Sequence, residues 1–187
     1  MNSVELKKGR PESDDNRLPK EMRCYDLLDS LNIEYMRADH EAADNMAVCE
    51  EIDKTLGAAI CKNLFLCNKQ QTMFCLLMMP GSKPFKTKLL SKQIGSSRLS
   101  FATPAHMEAL LDITPGSVSI LGLMNDKENK VRLLVDRDIT VQAYVGCHPC
   151  VNTSSLKIAS KDMFSVLIDA MGHGMTVVDL PWNIDDI

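Results

Sequence analysis

Residues 58–81 read AAICKNLFLCNKQQTMFCLLMMPG. Two apolar runs enclose the polar KQQ, the pattern of a β-hairpin. Lys62 interrupts the first run. With side chains alternating, Ile60, Lys62 and Leu64 share one face, and Cys61, Asn63 and Phe65 the other. Neither is an ordinary solvent face. A buried, unpaired ammonium is costly or gives up its proton. Two readings stay open: a lysine at the strand edge whose head reaches water, or one that lines a cleft and meets an anionic or carbonyl partner.

Outward from the hairpin, helices and strands mix. Pro19 suits a first helical position, and Cys24, Leu28 and Leu31 follow at helical spacing. IEYMRAD (33–39) reads as extended. Asp44 caps a second helix that ends near Gly57. SKPFKTKLLSKQIG is basic and helix-like, and SRLSFA is a short strand. Thr103 and Pro104 open another helix. TPGSVSILGLMND and KVRLLVDRDI read as strands joined by DKENK, and LKIAS as one more. Ser160 caps KDMFSVLIDAM, Gly172 stops it, and MTVVDL is a last strand. The expectation is a single α/β (α+β) domain. It has one mixed, mostly antiparallel sheet of about seven strands flanked by helices. Residues 1–18 read as a flexible N-terminal arm and 19–187 as the domain.

The chain of 187 residues is 45% apolar and 25% charged, the balance of a globular protein. No apolar run approaches the ~20 residues of a membrane helix. The N-terminus lacks the apolar core of a signal peptide, so a cytoplasmic setting is expected. Seven cysteines without a dense framework read as free thiols.

The net charge of −4 is unevenly spread. Between Lys54 and Met107 stand eight Lys and Arg and no Asp or Glu. Folded onto one face, that segment makes a positive patch on an acidic protein; Lys83, Lys86, Lys88 and Lys92 are its candidate members. A solvated surface of helix-forming lysines gives the same composition.

GCHPCVN (146–152) poses a choice. A thioredoxin-like Cys147–Cys150 pair would open a helix, yet VNTSSLKI continues as turn and strand. A zinc site needs a second ligand pair at similar spacing, and Cys61 and Cys67 are poorly placed. A rigid bend fits better: Gly146 permits unusual backbone angles, Pro149 fixes a turn, and His148 and Asn152 project to one side. PGSKPFKTK lacks the spacing of a phosphate loop, and no nucleophile elbow occurs.

Together, KNLFL (62–66), LSFAT (99–103), DITPGSVSILGLMND (112–126), VRLLVDRDI (131–139), GCHPCVNT (146–153) and VVDL (177–180) resemble the YbaK/ProX family of trans-acting aminoacyl-tRNA editing proteins. The similarity is greater to the ProX branch and runs from about Pro19 to Leu180. The same domain occurs as an insertion in bacterial prolyl-tRNA synthetases. The resemblance implies a hydrolase that deacylates mischarged tRNA-Pro, with alanine as the wrong amino acid. It implies Lys62 as the essential catalytic residue. It places Asn63, Gly146, His148 and Pro149 at the substrate; read from the residues themselves, Asn152 would join His148 there and the lysine patch would meet the acceptor stem. The acceptor end of tRNA-Pro and prolyl-tRNA synthetase are the implied partners; no cofactor or metal is implied. Cys147 departs from the bulky apolar residue of the family pattern, which bears on pocket shape. Two other readings remain: a non-catalytic sensor of aminoacyl-tRNA, and a thiol-redox protein using Cys147 and Cys150.

Overall fold

The computed structural model describes residues 4–42 and 46–183; the Asp44 cap lies outside them. The strands are β1 Leu6–Lys8, β2 Tyr35–Asp39, β3 Lys62–Asn68, β4 Phe74–Met79, β5 Leu99–Phe101, β6 Val131–Asp136, β7 Tyr144–Cys147, β8 Ser154–Ala159 and β9 Met175–Val178. The helices are α1 Pro19–Ser30, α2 Met46–Leu56, α3 Thr87–Gln93, α4 Pro104–Leu111 and α5 Arg137–Thr140. A final helical rod joins α6 Ser160–Asp162, a π turn Met163–Leu167 and α7 Ile168–Ala170.

The α/β class holds, but the strands form two sheets rather than one of seven strands. One is ordered β1-β2-β8-β7 and the other β5-β3-β4-β6-β9. The quoted hairpin is β3–β4, antiparallel from Lys62 opposite Met79 to Cys67 opposite Phe74. Asn68 Oδ1 closes its turn by accepting from the Thr72 and Met73 amides. β6 then joins β4 in parallel, and β9 joins β6 in parallel. Both faces of this sheet are covered. Phe65, Leu76, Met78, Leu133 and Val135 face the larger core, while Leu66, Leu77, Leu134, Leu90 and Leu99 form a second one. That double burial explains the unbroken apolar run of β4 and the Leu133–Val135 run of β6.

Local signals account for several boundaries. Pro19 opens α1. Thr103 Oγ1 accepts from the His106 amide, with Pro104 next to it. Gly172, at φ +78°, ends the last rod. Ser160 is not a cap: Ala159 holds that position, and the buried Ser160 hydroxyl has no partner. SILGLMN is no strand either. Ile120–Asn125 is a 3-10 helix, capped by the Ser119 hydroxyl on the Leu121 amide, and Ile120–Met124 are all buried.

Residues 4–18 are not a loose arm. β1 pairs antiparallel with β2, and Arg37 Nη1 donates to the Gly9 carbonyl at 3.1 Å. Arg17 grips Asp39 with two hydrogen bonds of 2.9 Å and reaches Glu21 at 2.6 Å. A short charged edge strand carries no apolar alternation, so it resembles an arm in sequence.

The sheets meet at Gly146. It forms a parallel bridge with Ile60, and its carbonyl accepts from the Cys61 amide at 3.0 Å. A Cβ here would stand 2.8 Å from the Ala59 carbonyl oxygen and 2.9 Å from Ile60 Cα. The glycine is required for close backbone approach rather than for an unusual backbone angle.

Candidate active-site cleft

The seam decides what stands beside what. Lys62 follows Cys61 at the head of β3, and His148 follows Gly146 by two residues. Both therefore open into one cleft of about 960 Å³. Its wall also includes Asp53, Ile60, Gly81, Gly116, Ile139, Asn152 and Trp182. Apolar walls with a few convergent polar groups are typical of a small-ligand site.

Lys62 is half-buried, and its Nζ donates to the backbone carbonyl of Lys83 at 3.1 Å. The cleft reading of this residue is the one the geometry supports. An ammonium carries three donors, so two remain for a bound group. Lys83 itself does not belong to a surface patch. It is 1% exposed, and its ammonium bonds both carboxylate oxygens of Asp136 at 2.9 and 3.0 Å and Asp138 at 3.0 Å. It is a strut between the β4–α3 loop and the β6–α5 junction. Lys86, Lys88 and Lys92 are exposed on the loop and helix that continue from this wall.

His148 is held from three sides. Its carbonyl accepts from the Ser119 hydroxyl at 2.5 Å. Its Nδ1 lies 2.9 Å from the Ser154 carbonyl and 3.3 Å from Ser155 Oγ. A carbonyl only accepts, so Nδ1 carries the proton and Nε2 keeps its lone pair. Ser155 Oγ is also 2.8 Å from His40 Nε2, and His40 Nδ1 is 2.7 Å from the Glu41 carbonyl. By the same logic, His40 Nε2 accepts the Ser155 proton. Burial holds both imidazoles below their usual range; the Ser154 carbonyl opposes this at His148, and the Glu41 carbonyl and Asp39 oppose it at His40.

The other expected residues divide. Asn152 lines the cleft, and its amide nitrogen lies 3.7 Å from where Gly116 would carry a Cβ. Asn63 is on the opposite strand face, donating to the Cys61 carbonyl at 3.1 Å, with its Oδ1 buried and unpaired. Gly146 acts in the seam and Pro149 is buried behind the loop, neither in the cleft wall. Cys147 and Cys150 are fully buried. Cys150 Sγ approaches Cys24, at 3.6 Å. Burial pushes the Cys147 thiol well up. That is the reverse of an activated thiolate, which removes the redox reading's physical basis.

Sequence reasoning missed Ser119, Ser155, His40, Gly116, Asp138 and Trp182. Gly116 alone carried a local signal, in the turn-forming TPG. The others act through contacts between residues distant in sequence.

The site thus sets a cationic donor, Lys62, and an accepting imidazole, His148, on one largely apolar cleft of an α/β domain. The aminoacyl-tRNA editing domain family model matches residues 40–166. The chain belongs to this family, the YbaK/ProX family, and so to the aminoacyl-tRNA deacylases. It is 28% identical over 153 residues to the prolyl-tRNA editing protein ProX of Acetoanaerobium sticklandii, covering 82% of this chain and 93% of that one. The prolyl-tRNA synthetase associated domain-containing protein 1 of Danio rerio is 28% identical over 144 residues, covering 76% and 78%. A crystal structure presented as a candidate trans-editing enzyme for prolyl-tRNA synthetase shares the fold at TM-score 0.65 and 16% identity, over 88% and 99% of the two chains. Among the described residues, no helix is long and apolar enough to cross a membrane.

Proposed function

We propose that this protein edits in trans. It hydrolyses the ester between a wrong amino acid, alanine, and the terminal ribose of tRNA-Pro. The observation that carries the reading is the convergence of Lys62 and His148 on one largely apolar cleft. Relatives named for prolyl-tRNA editing support the choice of tRNA.

The chemistry asks little of the protein. An aminoacyl ester is already activated, so holding it beside a water, with help from the substrate's own 2′-hydroxyl, is enough. The Lys62 ammonium stabilises charge that develops on the carbonyl oxygen, or holds the terminal phosphate. His148 presents an acceptor to the ribose or the α-ammonium, and Asn152 offers both donor and acceptor. No covalent step through Cys147 is required. A small pocket that leaves out the proline ring gives the selectivity.

The test is ester loss from alanyl-, cysteinyl- and prolyl-tRNA-Pro with purified protein. Loss from alanyl-tRNA-Pro with prolyl-tRNA-Pro spared is the expected result. Equal loss from all three, or from none, contradicts it.

A further inference from the structure

Trp182 is the chain's single tryptophan. It lines the cleft, yet it is 56% exposed. It is also fixed in place. Its Nε1–H donates to Asp138 Oδ2 at 2.6 Å, and the Lys83 ammonium stands 5.2 Å from the ring centre. Asp138 in turn takes a hydrogen bond from that ammonium. Val141, 78% exposed, and Ile139 extend the apolar wall nearby.

The same lysine relates this ring to Lys62. The Lys83 carbonyl receives Lys62 Nζ, and the Lys83 side chain ends against the indole. One lysine thus links the two features, and both lie on the same cleft wall. In an aminoacyl-tRNA, the ester and the terminal base hang from the same ribose, so a site for one has the other nearby. Beside the indole, Asp136 and Asp138 together outweigh the single Lys83 ammonium, which disfavours a phosphate there, while a neutral, flat heterocycle meets no such penalty. Unpaired bases at a single-stranded end stack on aromatic side chains.

We propose that Trp182 is the stacking platform for the terminal adenine of the tRNA acceptor end. The proposal rests on the editing reading and adds to it a base-binding subsite. The Trp182–Asp138 hydrogen bond sets the ring plane in advance, so binding orders little side chain.

Because Trp182 is the only indole, its fluorescence reports the contact directly. Titration with the trinucleotide CpCpA quenches it to saturation, and CpCpC, whose smaller terminal ring overlaps the indole less, quenches it less at the same concentration. Trp182→Ala raises KM for an alanyl-minihelix roughly tenfold, the scale of one base stack on an aromatic ring. Trp182→Phe recovers most of that loss, which a merely structural role would not predict. Equal quenching by the two trinucleotides overturns the proposal. So does an unquenched indole in a protein that still deacylates, and the editing reading then survives. Specific CpCpA quenching in a protein that deacylates nothing keeps the platform and removes the editing reading.

Discussion

The backbone carbonyl of Lys83 accepts the ammonium of Lys62 at 3.1 Å, while the Lys83 side chain is locked onto Asp136 and Asp138. One lysine orients the other without sharing its task. Lys83 is positioned by ion pairs, and its main chain aims Lys62 into the cleft.

Lys83→Ala therefore leaves the fully buried Asp136 without its cation. Breaking a buried pair from one side costs about 3–5 kcal/mol. Chemical denaturation is expected to show this loss. A variant as stable as the parent would mean that the strut carries no weight.

Gly146→Ala brings a methyl against the Ala59 carbonyl at the sheet seam. Backbone atoms cannot step aside as a flexible side chain can. The expected loss is about 1–3 kcal/mol, and thermal unfolding should move by about 2–4 °C for each of these. A Tm within a degree of the parent counts against the seam.

Acid should weaken both fold and activity. His40 and His148 titrate below their ordinary value of 6.5 in the folded chain. The unfolded chain thus takes up protons first as the pH falls below about 6.5. Stability declines from there until the pH has passed the folded values, and is flat above. Activity falls as His148 gains its second proton and loses its acceptor. Ser155→Ala removes the link between the two rings and is expected to shift the acid limb of the pH–rate profile. An unshifted limb argues against coupling.

Binding of tRNA should weaken with salt, as phosphate contacts release counterions. Lys88→Glu with Lys92→Glu, on the α3 that follows the Pro80–Ser82 stretch of the cleft wall, should weaken it more than Lys7→Glu with Lys8→Glu on β1. The reverse order in a filter-binding assay would place the nucleic-acid face elsewhere.

Much of the site was legible because its signals are local. Lys62 stood out as a charge inside an apolar strand, and HPCVN as a bend after a glycine. Pro19 and Thr103–Pro104 marked helix starts through capping chemistry that needs only adjacent residues. The failures have the opposite character. Lys83 looked like any surface lysine because its partner Asp136 is far along the chain. SILGLMN is apolar throughout, and so carries no period that separates a buried helical turn from a strand. Gly146 was read for its backbone freedom, whereas its role is set by Ala59 and Ile60 on another strand. The charged β1 and four-residue β7 were too short to show alternation.

The most direct test of the central claim is the single-turnover rate of ester loss from alanyl-tRNA-Pro with Lys62→Ala. Lys62 stands at the head of β3, partly open to the cleft, so the circular dichroism spectrum and Tm are expected to match the parent. The rate is expected to fall by ~100-fold or more, the scale of a lost charge-stabilising donor. A folded Lys62→Ala protein that deacylates at the parental rate contradicts the account.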